Sequence, residues 1–181
     1  MRSRDAALIA ARMHRENLAR GLTSIVLTPT QYGDAGHRAI NTLVLGRSTY
    51  QPGDAVITTA ACGERRYRNG MQGVIDKDGE DLVLVINDAP IPIDDIVLGH
   101  IQPCHAMSAH RAQGLEFDRV ILVLTHDMVN TASRQMMVSA TTLAPHCTII
   151  TERGCLKRAV SKDDVSDRPR IIYALRGEGW I

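Results

Sequence analysis

The stretch 106–124 reads AMSAHRAQGLEFDRVILVL. Ser108, His110, Arg111, Gln113, Gly114 and Glu116 crowd ahead of the apolar run 120–124. A core strand needs no such polar lead-in. A hydroxyl, an imidazole and a guanidinium can each donate to phosphate oxygens. Backbone N–H groups around Gly114 can do the same at a helix start. Glu116 is an acceptor suited to a ribose hydroxyl. Small side chains at Ala106, Ser108 and Ala109 let a phosphodiester backbone come close. The competing reading is that Ser108 and His110 only satisfy loop backbone. Thr28 and Thr30 close another short strand, at the kind of edge where α/β sheets bind ligands. Arg65, Arg66 and Arg68 form a basic cluster suited to phosphate, although composition alone favours a solvated surface.

Other chemistries fit less well. Ser108, His110 and Asp118 are the ingredients of a hydrolytic triad, but no nucleophile elbow accompanies them. His126-Asp127 reads as a strand-end loop, and Met136-Met137 as core on a helix. His100, Cys104 and His105 match no standard zinc spacing. The four cysteines, at 62, 104, 147 and 155, contain no Cys-x-x-Cys pair. With no recognisable signal peptide or membrane-length apolar stretch, a reduced, cytoplasmic protein is expected.

The elements that must position these residues follow from pattern. The chain has 181 residues, 44% hydrophobic and 23% charged, with net charge +1, so it can bury a core. Aromatics are only 3%, which argues for an aliphatic core and against base stacking on rings. Residues 3–20 have amphipathic helical spacing, ended by Gly21. A buried strand follows at 24–28, then a helix capped by Asp34 and closed by Gly46. From Gln51 the turn dipeptides Pro-Gly, Asn-Gly and Asp-Gly separate short strands at 55–59, 73–76, 82–87 and 91–93. These read as a small antiparallel sheet or barrel. The α/β pattern returns with a strand at 104–108, the lead-in and a short helix. A strand at 120–124, a helix over 131–143 and a last strand at 147–151 complete it. The fold class expected is α/β: a mostly parallel sheet flanked by helices (1–50 and 101–160), an antiparallel β insert (51–100) and a charged tail (161–181).

MSAHRAQGLEFDRVILVL resembles motif V of superfamily 1 helicases, roughly Thr-x-His-Lys-x-Gln-Gly-x-Glu-Phe-Asp-x-Val. Ser108 and Arg111 stand at the Thr and Lys positions; His110, Gln113, Gly114, Glu116, Phe117 and Asp118 match. SIVLTPTQYGDAGHRAIN is similar to the opening of the second RecA-like domain in the RecD branch. PGDAVITTAACGERRYRNGMQGVI resembles the small β-barrel inserted there, and RQMMVSATTLAPHCTII falls where motif VI belongs. The resemblance implies a RecA-like fold. It puts Ser108 and His110 on single-stranded DNA; if DNA binds there, the strand-end position of Arg111, Thr28 and Thr30 and the charge of Arg65, Arg66 and Arg68 make these the further contacts expected. It puts Gln113, Gly114 and Glu116 toward a nucleotide.

The departures shape the functional expectation. No Gly-x-x-x-x-Gly-Lys-Ser/Thr loop cradles phosphates, and neither Asp94-Asp95 nor Asp163-Asp164 follows a suitable strand for magnesium. Thr142 occupies the arginine-finger position of motif VI, Met137 its Tyr position, and Gln31 a position where many relatives carry Arg. An arginine finger is worth on the order of a thousandfold in rate. The expectation is a helicase-derived domain that binds single-stranded DNA and hydrolyses no ATP by itself, with no metal. ATP and Mg would enter only with a first RecA-like domain. The alternatives are the C-terminal half of a split motor, partnered by a separate phosphate-loop half, and a self-associating interaction scaffold.

Overall fold

A computed structural model of the chain describes residues 2–162. The elements in order are α1 (Ser3–Ala19), β1 (Ser24–Leu27), α2 (His37–Leu45), β2 (Ala55–Thr58), β3 (Gln72–Asp78), β4 (Asp81–Ile86), β5 (Ala89–Pro92) and α3 (Asp95–His100). Then come β6 (Ile101–Pro103), β7 (Ala106–Met107), β8 (Arg119–Leu124), α4 (Arg134–Thr142), β9 (His146–Thr151) and α5 (Cys155–Val160).

β7, β1, β8 and β9 form one parallel sheet in that order. Every residue of β8 from Val120 to Leu124 is buried, so both faces of the sheet are covered, as parallel sheets require. α1 packs on β1 and β8, and α4 on β8 and β9. α1 reaches the core with Ala6, Ala7, Ala10 and Ala11, all fully buried. Their small side chains bring the helix axis close to the layer beneath. α2 begins at Gly36, where a Cβ would lie 2.4 Å from the Tyr32 carbonyl oxygen, so only glycine fits. It ends at Gly46, in the left-handed region at φ 67°, as its sequence suggests.

The second sheet is antiparallel, in the order β5-β4-β3-β2-β6, with β5 and β6 at its edges. β3 and β4 pair in register from Val74↔Val85 to Asp78↔Asp81. The β4–β5 hairpin closes through Asn87 and Asp88, at φ 50° and 62°, the type I′ signature whose twist suits adjacent strands. This sheet has its own core of Val56, Tyr67, Ile75, Leu84, Ile86, Ile91, Val97 and Ile101. β6 leads straight into β7, so the two sheets share a continuous backbone at Cys104-His105.

Three expectations are corrected. The lead-in forms no helix: residues 109–114 are successive turns, with Arg111 N donating to Ser108 O and Leu115 N to Ala112 O. Gly114, at φ 84°, favours the turn over a helix. Asp34 does not cap α2, whose N-cap is Gly36. The expected strand at 104–108 shortens to two residues, and α3 and α5 appear where no helix was read. The tail segment RIIYAL lies outside the described residues.

Candidate nucleic-acid interface

The carboxyl ends of β1 and β7 lie side by side, with Leu27 opposite Met107. Thr28 N donates to the Met107 carbonyl at 3.1 Å, so the loops starting at Thr28 and Ser108 leave from adjacent points on one edge. On that edge His110 and Arg111 are exposed and Ser108 is half-buried. His110 and Arg111 therefore present a donor ring and a cation to solvent, and neither is held in an ion pair among the described residues.

Two threonines behave differently. Thr28 is fully buried, and its hydroxyl donates to the Thr30 carbonyl at 2.6 Å. Its side chain shapes the turn and offers nothing to a ligand in this conformation. Thr30 is half-buried, and its hydroxyl donates to the Tyr32 carbonyl at 3.1 Å. The same loop closes the start of α2, because His37 N and Arg38 N donate to the Thr30 and Gln31 carbonyls. The first N–H groups of α2 are thus already used.

Sequence reasoning overlooked three residues at this edge. His37 is buried at the start of α2; burial and the nearby Arg111 charge depress its pKa, so its ring is neutral. Arg38 is exposed and stacks its guanidinium 5.1 Å above the Tyr32 ring centre. Asn41 is buried in α2, and its side-chain oxygen accepts from His105 N and Ala106 N, at 3.0 and 2.7 Å. Its amide donates to the Ala106 carbonyl at 3.0 Å. The signal for Asn41 was a lone amide on the apolar face shared by Ile40 and Val44.

The arginine cluster sits elsewhere. Ala55, at the start of β2, meets Cys104 near the parallel sheet, whereas Thr58, at the end of β2, pairs with Ile101. The loop carrying Arg65, Arg66 and Arg68 leaves from that far end. Arg65 is ion-paired with Asp94, the N-cap of α3. Arg66 and Arg68 are exposed. No hydrogen bond or ion pair among the described residues joins this loop to residues 108–116.

The stretch 108–118 crosses from the carboxyl edge of the parallel sheet to its amino edge. There Asp118 accepts from both Thr23 N and Thr23 Oγ1 at 2.8 Å, and these bonds hold its carboxyl below the usual range. Asp118 is therefore a clasp between the starts of β8 and β1. It stands at the opposite edge from Ser108 and His110, which removes the triad reading. Exposed Gln113 and Gly114 lie along the crossing. Glu116 lines a cleft at the amino edge with Thr23, Asp118, Thr142 and Leu143. Glu116 and Thr142 thus line the same cleft. Yet the lining carries two carboxylates and no cation, and the Thr142 hydroxyl donates to the Ser139 carbonyl at 2.9 Å. This cleft does not fit a triphosphate: its charge repels one and nothing in it grips one.

Three further groups are placed by the fold. The His100 ring hydrogen-bonds the Tyr67 hydroxyl at 2.9 Å, and the His105 ring meets His14 at 3.3 Å, so the two rings serve different partners. Met137 is buried in the core, with Met136 packed against it. Among the described residues, no helix is long and apolar enough to cross a membrane.

No family model matches the chain. Over 94 residues, 51% of its length, it is 30% identical to the RecBCD enzyme subunit RecD of Mycobacterium tuberculosis, in strains CDC 1551 and H37Rv alike. The chain spans 16% of the length of those relatives. Its fold matches the crystal structure of Pif1 helicase from Bacteroides in complex with ADP-AlF3 and ssDNA. The match has a TM-score of 0.51 and 14% identity, over 85% of this chain and 46% of that one. Sequence and fold therefore agree with the resemblance to the second RecA-like domain of RecD-like superfamily 1 helicases.

Proposed function

We propose, from this likeness to a helicase lobe, that the chain binds single-stranded DNA through the carboxyl edge of its parallel sheet and hydrolyses no ATP by itself. The observation that carries the reading is the exposure of His110 and Arg111 on the loop beside the ends of β1 and β7. Ser108 and Arg38 flank them as further donors. Arg65, Arg66 and Arg68 are secondary: DNA would reach Arg66 and Arg68 only by continuing along the antiparallel sheet. The absence of a phosphate-binding loop and the acidic Glu116 cleft support binding without turnover. The four free cysteines suit a reduced, cytoplasmic setting.

The test is fluorescence anisotropy of a labelled single-stranded oligonucleotide across a salt series. Each phosphate bound contributes a slope of about −0.7 in log K against log salt. Two to three phosphates would give roughly −1.4 to −2.1. Binding that is undetectable at low salt, or flat with salt, refutes the reading.

A second reading is a lobe that completes a motor supplied by a separate phosphate-loop partner. Glu116 and Thr142 line one cleft, and in this reading the partner supplies every cation that grips the phosphates. A DNA-stimulated ATPase that appears only when the two parts are mixed would establish it.

A further inference from the structure

β8 and β9 run in register to Leu124↔Thr151, so the residues that follow them emerge together. After β9, Glu152 opens a tight turn in which Cys155 N donates back to the Glu152 carbonyl at 3.1 Å. Gly154, at φ 83°, takes the left-handed position that such a turn needs. The turn sets the Glu152 and Cys155 side chains next to each other, the arrangement by which two ligands three residues apart commonly hold one ion. His126 enters from the end of β8, anchored by its own N–H, which donates to Glu152 Oε2 at 2.9 Å.

The three side chains converge. His126 Nδ1 is 3.3 Å from Cys155 Sγ, and His126 Nε2 is 3.6 Å from Glu152 Oε2. One donor atom from each residue lies within 4.8 Å of the other two. Ligands of a tetrahedral zinc ion, with bonds of about 2.0–2.3 Å, stand roughly 3.3–3.8 Å apart; the two short approaches here use different ring nitrogens, so with one donor per residue the set must draw together around the ion. Cys155 is fully buried and the Glu152 side chain is only 10% exposed, whereas His126 is open to water. Asp127 adds a second negative charge that acts on the thiol, and the exposed Arg158 opposes it. The cluster combines one thiol, one imidazole and one carboxylate, with the thiol buried and the ring exposed.

We propose that His126, Glu152 and Cys155 form a three-ligand site for a zinc-class divalent cation, with the fourth position open to water on the His126 side. Thiolate and imidazole donors select zinc or cobalt over magnesium and calcium, which prefer oxygen alone. Binding releases the Cys155 thiol proton to solvent and forms the metal–sulfur bond in its place. The ion ties α5 to the ends of β8 and β9. The site stands on the same carboxyl edge of the parallel sheet as the loop after β7, farther along at the ends of β8 and β9; it shares no residue with 108–116, and its test uses no DNA.

The experiment uses the full, untagged chain stripped with chelator and titrated with zinc chloride and with cobalt chloride, without DNA. One equivalent of zinc should bind. The cobalt form should show a thiolate-to-cobalt charge-transfer band together with the visible bands of tetrahedral cobalt. Losing even an outer partner of a metal ligand costs about 10–100-fold in affinity. His126→Ala and Glu152→Gln should therefore each weaken zinc binding at least about tenfold, and Cys155→Ser should abolish the charge-transfer band. Because Cys155 is buried, its variant is read only if its circular dichroism is native; the His126 and Glu152 variants carry the test otherwise. No saturable zinc binding overturns the proposal. So does one-equivalent binding that His126→Ala leaves unchanged, and so does a cobalt spectrum without sulfur character.

Discussion

Asn41 and Ala106 exchange two hydrogen bonds, Ala106 N to Oδ1 at 2.7 Å and Nδ2 to the Ala106 carbonyl at 3.0 Å. The amide of α2 thereby takes the place of a neighbouring strand for β7, which among the described residues has a strand partner only on its β1 side. Asn41→Leu keeps the γ-branched heavy-atom count but strands three backbone groups, the His105 N–H and the buried N–H and carbonyl of Ala106. An unsatisfied buried group costs about 1–3 kcal/mol, so a loss of about 3 kcal/mol is expected in urea unfolding. Amide exchange should quicken at Ala106 and Met107 before it does in β8.

His110 and Arg111 are exposed and take part in no core packing. His110→Ala with Arg111→Ala should leave the melting temperature within about a degree, since surface substitutions usually cost under about 0.5 kcal/mol. Oligonucleotide affinity should fall, and the salt slope should flatten by about 0.7 for each phosphate that the loop no longer engages. Unchanged affinity at low salt removes this loop from the interface.

His14 is buried against His105, and its pKa is lowered to about 4 by burial first, then by the His105 and Arg15 charges. The unfolded chain takes up protons at His14 from about pH 6.5 downward, whereas the folded chain resists until about pH 4. Stability from this residue is therefore complete above pH 6.5 and is lost as pH falls toward 4, by about 3 kcal/mol. His105 is depressed as well and adds in the same direction. Chemical denaturation at several pH values should show the loss, and His14→Gln should reduce it. Equal slopes in both proteins exclude His14 as the cause.

Gly36 has no room for a side chain, because a Cβ there would lie within 2.7 Å of the Tyr32 and Gln31 carbonyl oxygens. Gly36→Ala must push backbone apart, at about 1–3 kcal/mol. The shift falls on the turn that carries Thr30 and Arg38. DNA affinity should decline along with the melting temperature, unlike the His110 and Arg111 pair.

Much of the scaffold was legible in the sequence because its signals are local. The run 120–124 is apolar at every position, as a strand covered on both faces requires. The Asp78-Gly79 turn marked the β3–β4 hairpin in advance. The lead-in misled because Ala112 and Leu115 suggest a helical face, while Gly114 breaks it. α3 and α5 have six residues each, too few to display a period. The site was legible in its residue types and less so in their placement. Nothing local says that Thr28 turns its hydroxyl inward, or that the β2 loop opens away from the parallel sheet. Those follow from long-range pairing of β2 with β6 and of β1 with β7.

The stretch from Ser108 to Asp118 works as a strap fastened at both rims of the sheet, at one end by the β1–β7 pairing and at the other by the Asp118–Thr23 clasp. With both ends fixed and turns between them, slack at one rim must be drawn from the other. A ligand that pulled His110 outward would tighten the wall of the Glu116 cleft. By thermodynamic reciprocity, anything seated beside Glu116 would set how readily the loop yields to a nucleic-acid strand.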